Sequence, residues 1–278
     1  MKIAVVTDSA SDIPADEARR LDIRVVPCIV VISDREYEDG RGLSRAEFYR
    51  MLPGMSPPPT TAAPSIGMFE STYRDALANG YDAVFSIHPP VDLSGIINAA
   101  SAAALSFDGR VRVFDSRQAS MGLGFQVLAA AELASEGIGF EELTASVEGV
   151  QRRVRVLAML DTLTYLQRSG RVSWLKANLG SILSIRTFIE LSDGRVKRLD
   201  QIRTRRKGIA HLTDLILNLP PLEKLAVLHS GAEADAAELA GALAPKVGVD
   251  PLVINITTII GAHVGPNGLG CAAVLKKP

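Results

Sequence analysis

From Ile3 to Leu160 the chain repeats one pattern: a short apolar run, a polar break, then a stretch with helical periodicity. That alternation leaves few folds open. Each apolar run has to pair with its neighbours in parallel, and the intervening helices have to cover both faces of the sheet. Ile3 to Thr7 is the first predicted strand, closed by Asp8, Ser9 and Asp12. Pro14 opens a short helix to Leu21, in the first-turn place that proline favours. Ile23 to Ile32 reads as one second strand. Ser44 and Glu47 have capping-box spacing before a helix near Met51, and Ser56 to Pro64 is a breaker-rich loop. Pro64 and Ser65 start a helix that Asn79-Gly80 stops. Predicted strands follow at Asp82 to Ile87, Val111 to Phe114 and Val154 to Leu160, with helices from Ser94, after Asp115-Ser116, and over Glu141 to Arg153.

The second half reads differently. Thr162 to Asn178 has helical character broken at Ser169-Gly170. Thr187 to Leu191 and Val196 to Ile202 flank Ser192-Asp193-Gly194, a hairpin signal. A helix begins at Thr204 or Arg205 and ends before Pro220-Pro221. Leu225 to His229, Leu252 to Thr257 and Cys271 to Leu275 read as strands, Glu233 to Leu243 as a helix, and Gly261 to Gly270 as a glycine-rich loop holding His263. The expected fold is therefore α/β, with two α/β domains, each a sheet covered by helices, over residues 1–158 and 159–278.

Composition excludes several classes of function. Two cysteines, Cys28 and Cys271, both in apolar runs, rule out a disulfide scaffold or a cysteine-based metal cluster. His88, His211, His229 and His263 never fall in metal-ligand spacing, so no metal is expected. No apolar stretch is long enough to span a bilayer, and no signal-peptide pattern follows Met1, so a cytoplasmic protein is expected. Neither glycine-rich nucleotide motif is present, and Ser94 lies in Asp92-Leu93-Ser94-Gly95, not in a nucleophile elbow. Asp8 and Asp12 lack the D-x-D spacing of phosphatases and read as turn and cap residues.

Charge is uneven. Residues 152–207 carry a local net charge of +10 in a chain of net −1, and seven of the thirteen residues from Arg195 to Lys207 are basic. Aromatics make up only 5% of the chain, so stacking on nucleic acid is not expected. A solvated face is the plain reading. The functional one is a site for phosphate, an acidic partner or an anionic membrane surface, with Arg203, Arg205, Arg206 and Lys207 as the expected contact residues. Polar residues at element ends complete the set. Thr61 and Ser94 lie near helix starts, Arg171 follows a Ser-Gly turn, and His263 sits among glycines. Each has a plain reading as a cap, a surface cation or a structural histidine.

Taken together, these segments resemble the DegV family of fatty-acid-binding proteins, over the whole chain. Thr7-Asp8-Ser9-Ala10-Ser11-Asp12 is similar to the family's T-D-S-[ST]-[SA]-D start, Thr60-Thr61-Ala62-Ala63-Pro64-Ser65 to T-T-S-Q-P-S, and Leu93-Ser94-Gly95 to L-S-G-T-Y. Val113-Phe114-Asp115-Ser116 resembles the family's strand ending in Asp-Ser. Asp161-Thr162-Leu163-Thr164-Tyr165-Leu166 with Arg168-Ser169-Gly170-Arg171-Val172-Ser173 resembles D-T-L-x-Y-L-x-x-G-G-R-I-S. Gly208 and its upstream basics resemble the K-x-R-x-x-K-A segment, and Gly261-Ala262-His263-Val264-Gly265-Pro266 resembles G-x-H-x-G-P-G. The chain departs from the pattern at Ala62, Ala63, Ile96, Ile97, Ser169 and Asn267, and places His88-Pro89-Pro90-Val91 in the family's I-S-S region.

The resemblance implies a long-chain fatty acid enclosed between two α/β domains. Its carboxylate is expected on Thr61 and Ser94, with His263 and Arg171 near the head group; the tail wall is expected from unpunctuated apolar segments, such as those around Ile96, Phe125 and Ile185. No cofactor beyond that ligand, and no catalytic residue, is implied. A separate fatty acid kinase is the implied partner, phosphorylating the presented acid to acyl-phosphate. Two other readings remain at this point: a lipid esterase using Ser94 and His263, and a lipid-responsive regulatory protein.

Overall fold

The computed structural model describes residues 1–172 and 185–277. They form two compact units, Met1–Ile29 with Ala62–Arg152, and Val30–Thr61 with Arg153–Pro278. In chain order the first elements are β1 (Ile3–Asp8), α1 (Ala15–Arg20), β2 (Arg24–Val26), β3 (Ile29–Ile32), β4 (Arg35–Glu38), α2 (Arg45–Met51) and β5 (Thr60–Ala62). Next come α3 (Ile66–Ala78), β6 (Ala83–His88), α4 (Ile96–Ala104), β7 (Val111–Asp115), α5 (Met121–Ala134) and α6 (Phe140–Gln151). Then follow β8 (Val154–Leu160), α7 (Thr164–Ser169), β9 (Arg186–Ser192), β10 (Arg195–Ile202) and α8 (Arg205–Leu217). The last are β11 (Leu222–His229), α9 (Glu233–Val247), β12 (Leu252–Asn255), α10 (Thr258–Val264) and β13 (Leu269–Leu275).

The first unit is built on a parallel sheet of order β2-β1-β6-β7. Every residue of β1 and β6 is buried, which requires cover on both faces. The cover comes as two helix pairs, α3 with α4 and α5 with α6. Eleven of the fourteen residues of α5 are buried, so this helix has no solvent stripe. Gly124 makes that possible: a Cβ there would sit 2.6 Å from the Ser11 carbonyl. The strand order reverses between β1 and β6. In open parallel sheets, ligands favour the crevice beyond the carboxyl ends of the strands at such a reversal.

The second unit has a sheet of order β10-β9-β8-β13-β11-β12, antiparallel except for the parallel β11–β12 pair. Its strands alternate between two cores. Leu157, Met159 and Phe188 pack with Leu212 and Ile216 of α8 and Leu239 and Leu243 of α9. Leu160 and Ile189 face the other way, with Leu166 of α7 and Val264 of α10. A separate small sheet, β4-β3-β5, comes from the early segment.

Three expectations change. Ile23 to Ile32 is not one strand: Pro27 cannot donate to a ladder, so the run splits into β2 and β3, which join different sheets. The chain leaves the first unit at Arg152, not at 158, because β8 pairs with β9 and β13, and residues 30–61 belong with the C-terminal half. His263 lies on α10, not in a loop. The break expected at Ser169-Gly170 stands: α7 ends at Ser169, and Gly170 turns left-handed (φ 68°). Ser173 to Asn178 lie outside the described residues.

Candidate functional site

In the second unit, the structure brings Thr61 and His263 together. Thr61 is on β5, and α3 is capped by Ser65, whose hydroxyl accepts from Met68 N at 3.3 Å. The helix-cap role open to Thr61 in the sequence is therefore taken by another residue. Its hydroxyl instead lies 2.9 Å from His263 Nε2, 202 residues away.

Burial, reinforced by the nearby Arg171 charge, pushes the His263 imidazole down to about 4. The ring is thus neutral at physiological pH and offers a hydrogen bond, not a charge. The nearby positive charge is that of Arg171. It is exposed, and its guanidinium also bonds back to the Ser169 carbonyl at 2.6 Å. Among the described residues, the influences on His263 are burial and the Arg171 charge rather than a carboxylate.

The helix carrying His263 is held by a residue without any sequence signal. Tyr49, on α2, donates to the carbonyls of Ile256 and Thr257 at 3.0 and 3.2 Å. Its ring fills the place where a Cβ on Gly261 would stand. Ser44 and Glu47 do form the predicted capping box, which predicts α2 but not what Tyr49 reaches. At the other end of α10, Gly265 has φ 81° and lies against the ring of Tyr165.

In the first unit, Ser94 follows β6 at the carboxyl end of the sheet. Its hydroxyl accepts from Ile96 N at 3.3 Å, a long bond that leaves the hydroxyl hydrogen to donate. The backbone N–H of Ser94 is tied to the Pro90 carbonyl at 3.1 Å. Beneath this loop runs a fully buried polar chain. Asp8 Oδ2 lies 2.7 Å from His88 Nδ1, His88 Nε2 lies 2.7 Å from Ser86 Oγ, and Tyr73 donates to that oxygen at 2.9 Å. The order Asp-His-Ser is that of a hydrolase triad, but Ser86 has no solvent exposure and its oxygen is occupied by Tyr73. These groups fix the end of β6. The Ser116 N–H and hydroxyl add to this by donating to the His88 carbonyl at 3.0 and 2.8 Å. Asp8 also caps the turn after β1 through Ala10 N, and Asp12 accepts from Ser120.

The four basic residues at the start of α8 differ in what holds them. Arg203, Arg206 and Lys207 are exposed. Arg205 is half-buried; its Nε donates to Asp235 at 2.7 Å, and its Nη1 lies 3.5 Å from Asp161 and 2.9 Å from the Asn267 carbonyl. Of the residues named for the tail, Ile96 and Phe125 are buried within the first unit, and Ile185 is partly exposed in the second. No helix among the described residues is long and apolar enough to cross a membrane.

The chain is 36% identical over 273 residues to a DegV domain-containing protein of Streptomyces coelicolor, covering 96% of each. Among solved structures it is similar to a DegV family protein of Thermus thermophilus described by its fatty acid binding, with TM-score 0.91, 34% identity, and 99% and 100% of the two chains covered. It is also similar to DegV of Bacillus subtilis, described as a fatty acid binding protein, with TM-score 0.87, 32% identity and the same coverage. The family model for DegV, described as uncharacterised, matches residues 2–276. The chain belongs to the DegV family.

Proposed function

We propose that this protein binds a long-chain fatty acid and presents its carboxylate to a separate fatty acid kinase, without catalytic residues of its own. The observation that carries the reading is the Thr61–His263 pair, 2.9 Å apart and built from segments 202 residues distant. Thr61 and Ser94 donate to the carboxylate, the neutral His263 orients the Thr61 hydroxyl, and Arg171 provides the positive charge. Two charge-assisted hydrogen bonds and one nearby cation offset the desolvation of the head group. The tail provides the affinity: fourteen methylenes are worth roughly 11 kcal/mol before association costs of several kcal/mol. The fatty acid binding for which the Thermus thermophilus and Bacillus subtilis proteins are described supports the same ligand class. Arg203, Arg205, Arg206 and Lys207 are proposed to meet the kinase or an anionic membrane surface during loading. Arg205 would do so from within its ion pairs.

Native mass spectrometry of the purified protein tests the ligand, with co-purifying fatty acids of about fourteen to eighteen carbons expected. Calorimetry with palmitate then tests the head group. Thr61→Ala combined with Ser94→Ala should weaken binding at least tenfold in a folded protein, since two such bonds are worth about 3 kcal/mol. Unchanged affinity in that double variant would remove both residues from the site.

A further inference from the structure

The helix α10 has only seven residues, too few to hold a helix in water by itself. Its place is therefore set by what grips it. Thr257 occupies the capping position with extended backbone but makes no capping bond through its side chain. The cap comes instead from Asp39, 219 residues earlier, whose Oδ1 accepts from Thr258 N at 3.0 Å and from Thr258 Oγ1 at 2.6 Å. An acid at this end of a helix also complements the positive end of its dipole. Asp39 directly follows β4, and β4 belongs to the same three-stranded sheet as β5, which carries Thr61. One small sheet thus delivers Thr61 and holds the start of the helix whose last turn delivers His263.

From this juxtaposition we infer that Asp39 is a positioning residue for the head-group pair. By capping α10 it sets the register at which His263 Nε2 meets the Thr61 hydroxyl. Without the cap, two donors on Thr258 lose their acceptor, and the first turn of a two-turn helix frays toward the end that bears His263. The step from a set register to ligand affinity rests on the fatty-acid reading; the cap and its effect on His263 do not.

Two substitutions separate capping from charge. Asp39→Asn keeps an acceptor oxygen in place, whereas Asp39→Ala removes it. The ligand-free readout is the ¹⁵N chemical shift of His263 Nε2, which senses the bond to Thr61. The liganded readout is palmitate affinity by calorimetry. Asp39→Ala should lose the wild-type shift and bind palmitate at least about fivefold more weakly, while Asp39→Asn keeps the shift and stays within about twofold. If Asp39→Ala does not fold, Thr258→Val removes one of the two bonds and should still move the His263 signal. An unmoved signal in the folded Asp39→Ala protein, or in Thr258→Val, overturns the inference. So does an asparagine variant as impaired as alanine, since charge would then be the operative property. Wild-type protein that binds no palmitate overturns the fatty-acid reading alone, and the histidine signal then decides the role of Asp39.

Discussion

His263 shows how much a single side chain depends on its surroundings. An exposed imidazole titrates near 6.5, but burial and Arg171 move this one to about 4. The folded protein therefore binds fewer protons than the unfolded chain between pH 4 and 6.5, and stability falls as pH drops through that window. The full shift corresponds to at most about 3 kcal/mol, less where solvent reaches the ring. We expect His263→Gln, which keeps a hydrogen-bonding group for Thr61, to lose less stability than wild type between pH 7 and 4. Urea denaturation at both pH values measures the difference, and parallel losses in the two proteins would show that the ring is not held neutral. The residue types at the site were legible in the sequence, but their roles were not. Thr61 and Ser94 both read as helix caps, yet Ser65 caps α3 while Thr61 turns to His263. Only Ser94 makes a cap-like bond, to Ile96 N.

At the scale of the element, glycines test which contacts can yield. A Cβ at Gly270, in β13, would stand 2.5 Å from the Leu157 carbonyl and 3.1 Å from Ala158 Cα, both backbone atoms of the neighbouring β8. A Cβ at Gly208, in α8, would stand 2.5 Å from the sulfur of Met159, near the end of a flexible side chain. Gly270→Ala should therefore cost about 3 kcal/mol, and Gly208→Ala close to nothing, because alanine's helix propensity returns roughly 1 kcal/mol. Equal melting temperatures for the two variants would contradict this. The basic stretch belongs to the same scale. β10 is an edge strand with a register shift between Arg198 and Gln201, so its charges also guard the edge against pairing with another sheet. The contact role is better tested on Arg203, Arg206 and Lys207, because Arg205 is engaged by Asp161 and Asp235. Reversing those three to Glu should slow palmitate transfer to anionic vesicles about tenfold or more at low salt, with the deficit shrinking as salt rises. Transfer at the wild-type rate would leave the stretch as edge protection and surface charge.

For the whole molecule, ligand and stability are linked. A ligand that binds only the folded chain adds about 2.7 kcal/mol when present at a hundred times its dissociation constant. Palmitate should therefore raise the melting temperature of the wild type by several degrees, and clearly less for Thr61→Ala with Ser94→Ala, as scanning calorimetry would record. A rise of equal size in both would place the acid elsewhere. What the sequence determined by itself was local. Alternating apolar runs and helical stretches specified the parallel sheet of the first unit, because periodicity and turn chemistry act between near neighbours. The ordered motifs pointed to the family, and with it to Thr61, Ser94, Arg171 and His263. Tertiary structure alone decided what depends on distant partners. Residues 30–61 join the C-terminal half, the start of the Gly261–Gly270 run falls in α10, and Tyr49 and Asp39 hold that helix from more than two hundred residues away. Of that run only Gly261 to Val264 is helical, and α10 forms because its ends are bonded and its face is packed by side chains that no local pattern connects to it.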